Sequence, residues 1–231
     1  MVANNFILME IMFNIIYLVF IWIFVFLMIK NRKALKIREK PIGQIYLVGF
    51  FLLALGDTGH VGFRVIAYIA GGLEPNSLLV GLGALSTAIT ITFLYILILE
   101  AWRLTFDKPR DALYYFLILM GIIRLIIFIF PQNEWGNVIP PYAWSIARNV
   151  PLMIQGVVVG VLLALEGKKN QNSLAKKLAI CIFLSYGFYI PVIFLIQIFP
   201  LVGMLMIPKT IAYMAIVWFV YEEYFKHSGQ E

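Results

Sequence analysis

The chain has 231 residues, of which 62% are hydrophobic and only 13% are charged. Soluble domains contain about half apolar and about a quarter charged residues, so this composition excludes a soluble domain and indicates an integral membrane protein. The net charge of +6 does not indicate nucleic-acid binding, because most of the Lys and Arg residues lie in short connections, as in cytoplasmic loops of membrane proteins.

Seven apolar segments are long enough to cross a bilayer, which takes about 20 residues. They are roughly residues 5–29, 44–70, 78–102, 112–130, 144–166, 178–199 and 201–225. None shows the strict alternation of a barrel strand, so each is predicted to be a helix. Because the connections are short, we expect one all-α domain over residues 1–231, an integral membrane bundle of seven transmembrane helices.

The Lys and Arg residues outside these spans predict the orientation of the bundle. They lie in the first, third and fifth connections and in the C-terminal tail, whereas the N-terminus and the second, fourth and sixth connections carry none. Positive residues are retained on the cytoplasmic side. We therefore expect a multi-pass protein of the plasma membrane, with its N-terminus outside the cell and its C-terminus in the cytoplasm.

The stretch "ALGDTGHVGFRV" places three polar groups inside the second span. Asp57, His60 and Arg64 are three and four residues apart, which puts them on one face of a helix. We expect them to form one polar stripe and to satisfy one another. Gly56, Gly59 and Gly62 recur every three residues in the same stretch and are typical of a close contact with a neighbouring helix beside the polar stripe.

Other ionisable residues inside the spans fall in the same, outward half of the bilayer. They are Glu10, Arg124, Arg148 and Lys209, and Tyr213 lies one turn below Lys209. Charged groups in a span are costly and generally face a bundle interior or a wet cavity. The sequence therefore predicts an outward-facing polar cavity with an excess of positive charge.

Such a cavity favours an anion, because guanidinium and ammonium groups bind carboxylates and phosphates. The first hypothesis is a receptor-like or transport component that binds an anionic, amphiphilic small molecule or a lipid head group. Arg64, Arg124, Arg148 and Lys209 would hold the anion. Glu10, Tyr189 and Tyr213 are further candidate ligand-binding residues.

Two other functions remain open at this point. In an intramembrane lipid-modifying hydrolase or transferase, His60 would be the general base and Asp57 its orienting group. In a structural subunit of a larger membrane complex, the charges would only bridge helices. The enzyme hypothesis lacks a nucleophile, because no motif fixes a Ser, Cys or Thr beside His60.

No cofactor or metal is expected. The two histidines, His60 and His227, are far apart, and one His and one Asp do not make a metal site. A lysine in the last helix resembles the retinal-binding lysine of seven-helix retinal proteins. No carboxylate lies one turn before Lys209, however, so retinal on Lys209 is not expected.

Two local resemblances accompany these patterns. "KPIGQIYLVGFFLLALGD" resembles the Lys-Pro and Leu-Gly-Asp features of the lysoplasmalogenase-like membrane family, which implies hydrolysis of a vinyl ether, but the second intramembrane Asp of that family is missing. "PQNEW", "ARNVP", "SYGFYIPV" and "PLVGMLMIPKTIAY" resemble a set of uncharacterised bacterial seven-span proteins. That resemblance implies the topology and brings no function.

Overall fold

The computed structural model describes residues 2–226, without the side chains of residues 2–8, 10 and 34. It is all-helical over this range, and seven helices are long and apolar enough to span a membrane. The helices are α1 (Val2–Asn31), α2 (Lys40–Ile69), α3 (Ser77–Thr105), α4 (Ala112–Ile129), α5 (Tyr142–Lys169), α6 (Ser173–Leu195) and α7 (Met206–Tyr224). A short 3₁₀ helix, Pro200–Leu205, precedes α7 and is called the 3₁₀ segment below. The prediction of seven helices is confirmed.

The observed helix ends differ from the predicted ones for local reasons. α2 begins at Lys40 because Pro41 is tolerated in a first helical turn, where its missing N–H costs nothing. α6 begins at Ser173 because the side chain of Asn172 accepts a hydrogen bond from the backbone N–H of Ala175 at 2.8 Å. α7 begins only at Met206, so Pro208 lies in its first turn instead of kinking a longer helix.

The seven helices form a ring in chain order, closed by contact between α1 and α7. α4 packs only against α3, α5 and the short 3₁₀ helix Pro131–Asn133 that follows it. α3 also contacts α5. We call the end of the bundle with the start of α1 and the connections 70–76, 130–141 and 196–205 the N-terminal face. The opposite end, with the connections 31–39, 106–111 and 170–172, is the basic face.

α2 and α3 pack closely through glycines. A Cβ atom on Gly56 would lie 1.8 Å from the hydroxyl oxygen of Thr90, and one on Gly83 would lie 2.9 Å from the carbonyl oxygen of Gly59. Only glycine permits this separation. The contact lies beside Asp57 and His60, so it fixes the polar stripe of α2 against α3.

The half of the bundle towards the basic face is filled with apolar and aromatic side chains. Phe50, Leu94, Ile98, Leu99 and Val217 are among its fully buried residues. Close packing of this kind leaves no space for a ligand.

Polar contacts tie the helix ends together at the surface of the basic face. Glu100 accepts hydrogen bonds from Arg103, Arg110 and Tyr114, and Lys108 forms an ion pair with Glu166 at 2.6 Å. The Glu100 and Glu166 carboxylates thus join the α3–α4 connection to the bundle and take no part in the cavity.

Candidate functional site

A cavity of about 530 Å³ lies inside the bundle. Every helix contributes to its lining, α1 and α2 through residues such as Asn14 and Asp57, and α7 through Lys209. Every lining residue that belongs to one of the seven helices lies near the middle of that helix or in the half nearer the N-terminal face. The cavity is therefore confined to one half of the bundle and does not continue through the packed half.

Eight of the nine candidate site residues line this cavity. They are Asp57, His60, Arg64, Arg124, Arg148, Tyr189, Lys209 and Tyr213. The ninth, Glu10, has a side chain outside the described residues. Among the described lining residues Asp57 is the one acid, against three arginines and one lysine.

Asp57 is held by hydroxyl groups from two other helices. Tyr17 of α1 donates a hydrogen bond to one carboxylate oxygen and Thr87 of α3 to the other. The expectation that Asp57, His60 and Arg64 satisfy one another is thus wrong for the first two. Among the described residues His60 has no hydrogen bond to Asp57, and its Nδ1 atom is buried without a partner. The Asp57–His60 pair needed for the enzyme hypothesis is not formed.

Replacing Asp57 by asparagine is expected to have two opposite effects. Asparagine offers one acceptor oxygen in place of two, so a hydroxyl of Tyr17 or Thr87 loses its acceptor, at a cost of about 1–3 kcal/mol. The same change removes the negative charge of Asp57 from the cavity, so an anion should bind more tightly. Thermal unfolding should show the loss of stability, and titration with laurate, a fatty-acid anion, should show the tighter binding. A stabilised variant that binds laurate more weakly would contradict both assignments.

Arg124 is almost fully buried, with 2% of its surface exposed. It donates to the backbone oxygens of Arg148 at 2.8 Å and Ala88 at 2.9 Å and to the hydroxyl of Thr92 at 2.6 Å, and its guanidinium lies over the ring of Phe128. All these acceptors are neutral, so the positive charge of Arg124 is solvated but not neutralised by them. The residue bridges α4 to α3 and α5.

Arg148 and Lys209 are held differently, by aromatic rings. The guanidinium of Arg148 lies 4.4 Å from the ring centre of Trp135, and Nζ of Lys209 lies 4.2 Å from that of Tyr189. Neither side chain has a hydrogen bond or an ion pair with any described residue. Stacking on a ring positions a cation and leaves its N–H groups able to bind an anion.

Tyrosine hydroxyls form part of the cavity floor and walls. The hydroxyls of Tyr95 and Tyr213 are 3.0 Å apart, Tyr186 donates to the carbonyl oxygen of Leu152, and Tyr189 donates to the side-chain oxygen of Asn149. Tyr186 fits because Gly156 faces it, where a Cβ atom would lie 1.9 Å from the hydroxyl. The bond to Asn149 holds the ring of Tyr189 in contact with Lys209.

Several lining residues were not found as site residues from the sequence. Thr87 and Asn149 have short polar side chains in apolar spans, and nothing in their spacing marks them as partners of Asp57 and Tyr189. Trp135 differs from these two, because its place in the long fourth connection, beside Pro and amide residues, already suggests an aromatic rim or wall of the cavity. The structure places it in the cavity wall, over Arg148.

No protein-family model, no curated protein and no solved structure matches the chain. Within residues 2–226, no three His, Cys, Asp or Glu side chains are grouped as metal ligands.

Proposed function

We propose that the protein binds an anionic, amphiphilic ligand in this cavity, as a receptor-like or transport component of the plasma membrane. The Lys and Arg residues of the basic face support an orientation with that face in the cytoplasm, because positive residues are retained on that side, and the cavity would then lie in the outer half of the bilayer. The anionic group of the ligand binds to Arg148 and Lys209.

The observation that supports this proposal is that the side chains of these two cations have no hydrogen-bond acceptor among the described residues. Charged groups in membrane spans normally pair with each other or with backbone carbonyls, as Arg124 does. The side chains of Arg148 and Lys209 line the cavity and contact aromatic rings, and neither side chain has a hydrogen bond to a described residue. A carboxylate or phosphate in the cavity would supply the missing acceptors.

The two cations line the same cavity, each on an aromatic side chain. Lys209 lies over the ring of Tyr189 and Arg148 over that of Trp135. Arg148, Tyr189 and Lys209, from α5, α6 and α7, form what we call the cationic corner. Since three helices meet there, an anion that binds both cations would link α5 to α7.

Lys209→Gln and Arg148→Gln are each expected to weaken binding of laurate and of dodecyl phosphate by about 10- to 100-fold, the value of a lost charge-assisted hydrogen bond. Binding is measured by calorimetric titration of the purified protein in a neutral detergent. Native mass spectrometry of the untreated protein is expected to show a co-purified anion that both variants lose.

Lys177→Gln is the matched control. Lys177 also lies over an aromatic ring, that of Phe219 at 5.1 Å, but it belongs to the basic-face half of α6. It should bind laurate as the unmodified protein does, and dodecanol, which has no charge, should not distinguish the variants. If Lys209→Gln and Arg148→Gln only lower the melting temperature and bind both anions normally, the charges are structural and the proposal is wrong.

A further inference from the structure

The cavity wall is divided by polarity. The cations other than Lys209 come from α2, α4 and α5, on one side of the ring. The wall formed by α1, the end of α6 and the 3₁₀ segment is largely apolar and carries no described charge. Its residues include Met9, Phe13, Ile196, Pro200 and Met204. A ligand that matches both sides has a charged head and an apolar remainder.

The apolar side also reaches the surface of the protein. Met9 and Met204 both line the cavity, yet 45% and 43% of their surfaces are exposed. In the described part of the chain no Cα atom of α1 lies within 8 Å of one in the 3₁₀ segment, although α1 does contact α7. The cavity is thus bordered here by flexible methionine side chains instead of packed backbone.

From this geometry we infer that the ligand is an anionic lipid with a single acyl chain, and that its chain leaves the cationic corner towards the bilayer between α1 and the 3₁₀ segment. This inference rests on the proposed function, and it adds the class of the ligand and the path by which the acyl chain leaves the cavity. A cavity of about 530 Å³ is in the range of ~300–1,000 Å³ that holds a drug-sized molecule, so it has room for the head group and the adjoining part of one acyl chain.

The fold explains why the gap lies at this place. α6 ends at Leu195, and the chain returns through a 3₁₀ segment that begins with Pro200, so the α6–α7 connection has no regular helix beside the start of α1. The helices themselves contact each other all around the ring, including α6 with α7 and α7 with α1, so the gap is confined to the level of this connection. A chain that enters here passes from lipid to protein without crossing water, so its apolar surface stays covered throughout.

The test is photolabelling of the full chain in lipid nanodiscs. The probe is a 16-carbon fatty acid with a diazirine near its methyl end. Adducts are expected on Met9, Phe13 and Met204, and a tenfold excess of palmitate or of a lysophosphatidate should remove about nine-tenths of them by mass action. The same excess of two-chain phosphatidylglycerol should remove few of these adducts. If palmitate competes and lysophosphatidate does not, the head group is a carboxylate, and the reverse result identifies a phosphate.

Met204→Trp narrows the gap and should slow specific labelling several-fold. Ile198→Trp is its control, because Ile198 lies in the same connection, is 61% exposed and does not line the cavity. Adducts confined to the outer surface of α6, or labelling that palmitate does not reduce, would overturn the inference. If those results occur while laurate still binds in a Lys209-dependent manner, the proposed function stands and only the chain position is wrong. If laurate binding does not depend on Lys209, the proposed function fails as well.

Discussion

Replacing Gly81 by alanine is expected to destabilise the bundle by about 2–3 kcal/mol, the usual cost of overpacking a filled site. A Cβ atom on Gly81 would lie 1.4 Å from the backbone carbonyl oxygen of Trp135, at the point where the connection 130–141 rests on α3. Backbone cannot turn aside as a side chain does, so the connection must move. Thermal unfolding in detergent should record a fall of about 6 °C or more.

Movement of the connection 130–141 should also disturb the binding site. Trp135 carries Arg148 on its ring, so a displaced connection loses this stacking and laurate binding should weaken together with stability. Displacement can be observed directly, because Glu134 becomes a faster cleavage site for a glutamate-specific protease. Gly62→Ala is the matched control: no atom lies within 4 Å of a Cβ atom there, and alanine is the better helix former. Equal stability of the two variants would show that the connection does not rest on Gly81.

Replacing Arg124 by glutamine is expected to have the second large effect, a loss of about 3 kcal/mol. The guanidinium serves acceptors on α3 and α5 at once, and glutamine is too short and has too few donors to reach both helices. Buried acceptors that lose their donor carry the cost of desolvation. Arg124→Lys should be nearly as unstable, because a single ammonium cannot replace a planar fork of donors.

The control for this loss is Arg110→Gln. Arg110 also contacts an acceptor, Glu100 at 3.2 Å, but its side chain is 53% exposed. Water replaces that contact, so the melting temperature should hardly change. If Arg124→Gln were as stable as Arg110→Gln but bound laurate poorly, Arg124 would hold the ligand instead of the helices.

These predictions assign different roles to three of the four cations that line the cavity. Arg124 has its donors committed to α3 and α5, whereas Arg148 and Lys209 rest on aromatic rings with no described acceptor. From the sequence all three were expected to hold the anion. The difference arises because an arginine that faces helix carbonyls saturates its fork within the protein, and one that stacks on a ring keeps its edge free.

The number of spans, their helical nature and the positions of the polar groups along them could be predicted from the sequence alone. These follow from local physics: in lipid the backbone must form its hydrogen bonds within its own segment, and a span needs a minimum apolar length. The positions of Asp57, His60 and Lys209 along their helices required only the rise per residue. The sequence also predicted that these groups share one half of the bundle, where the structure places them around one cavity.

Which polar side chains contact each other depends on the packing of the helices. The partners of Asp57 are Tyr17 and Thr87, forty and thirty residues away, and not His60 on its own helix. Helical spacing shows which residues share a face but not how each helix is rotated against its neighbours. That rotation is set by close contacts such as Gly56 on Thr90 and Gly156 on Tyr186, in which a missing side chain on one helix admits a particular atom of another. Such complementarity between distant positions has no local signature in the sequence, and for this reason the gap beside the 3₁₀ segment and the cationic corner emerged only from the packed bundle.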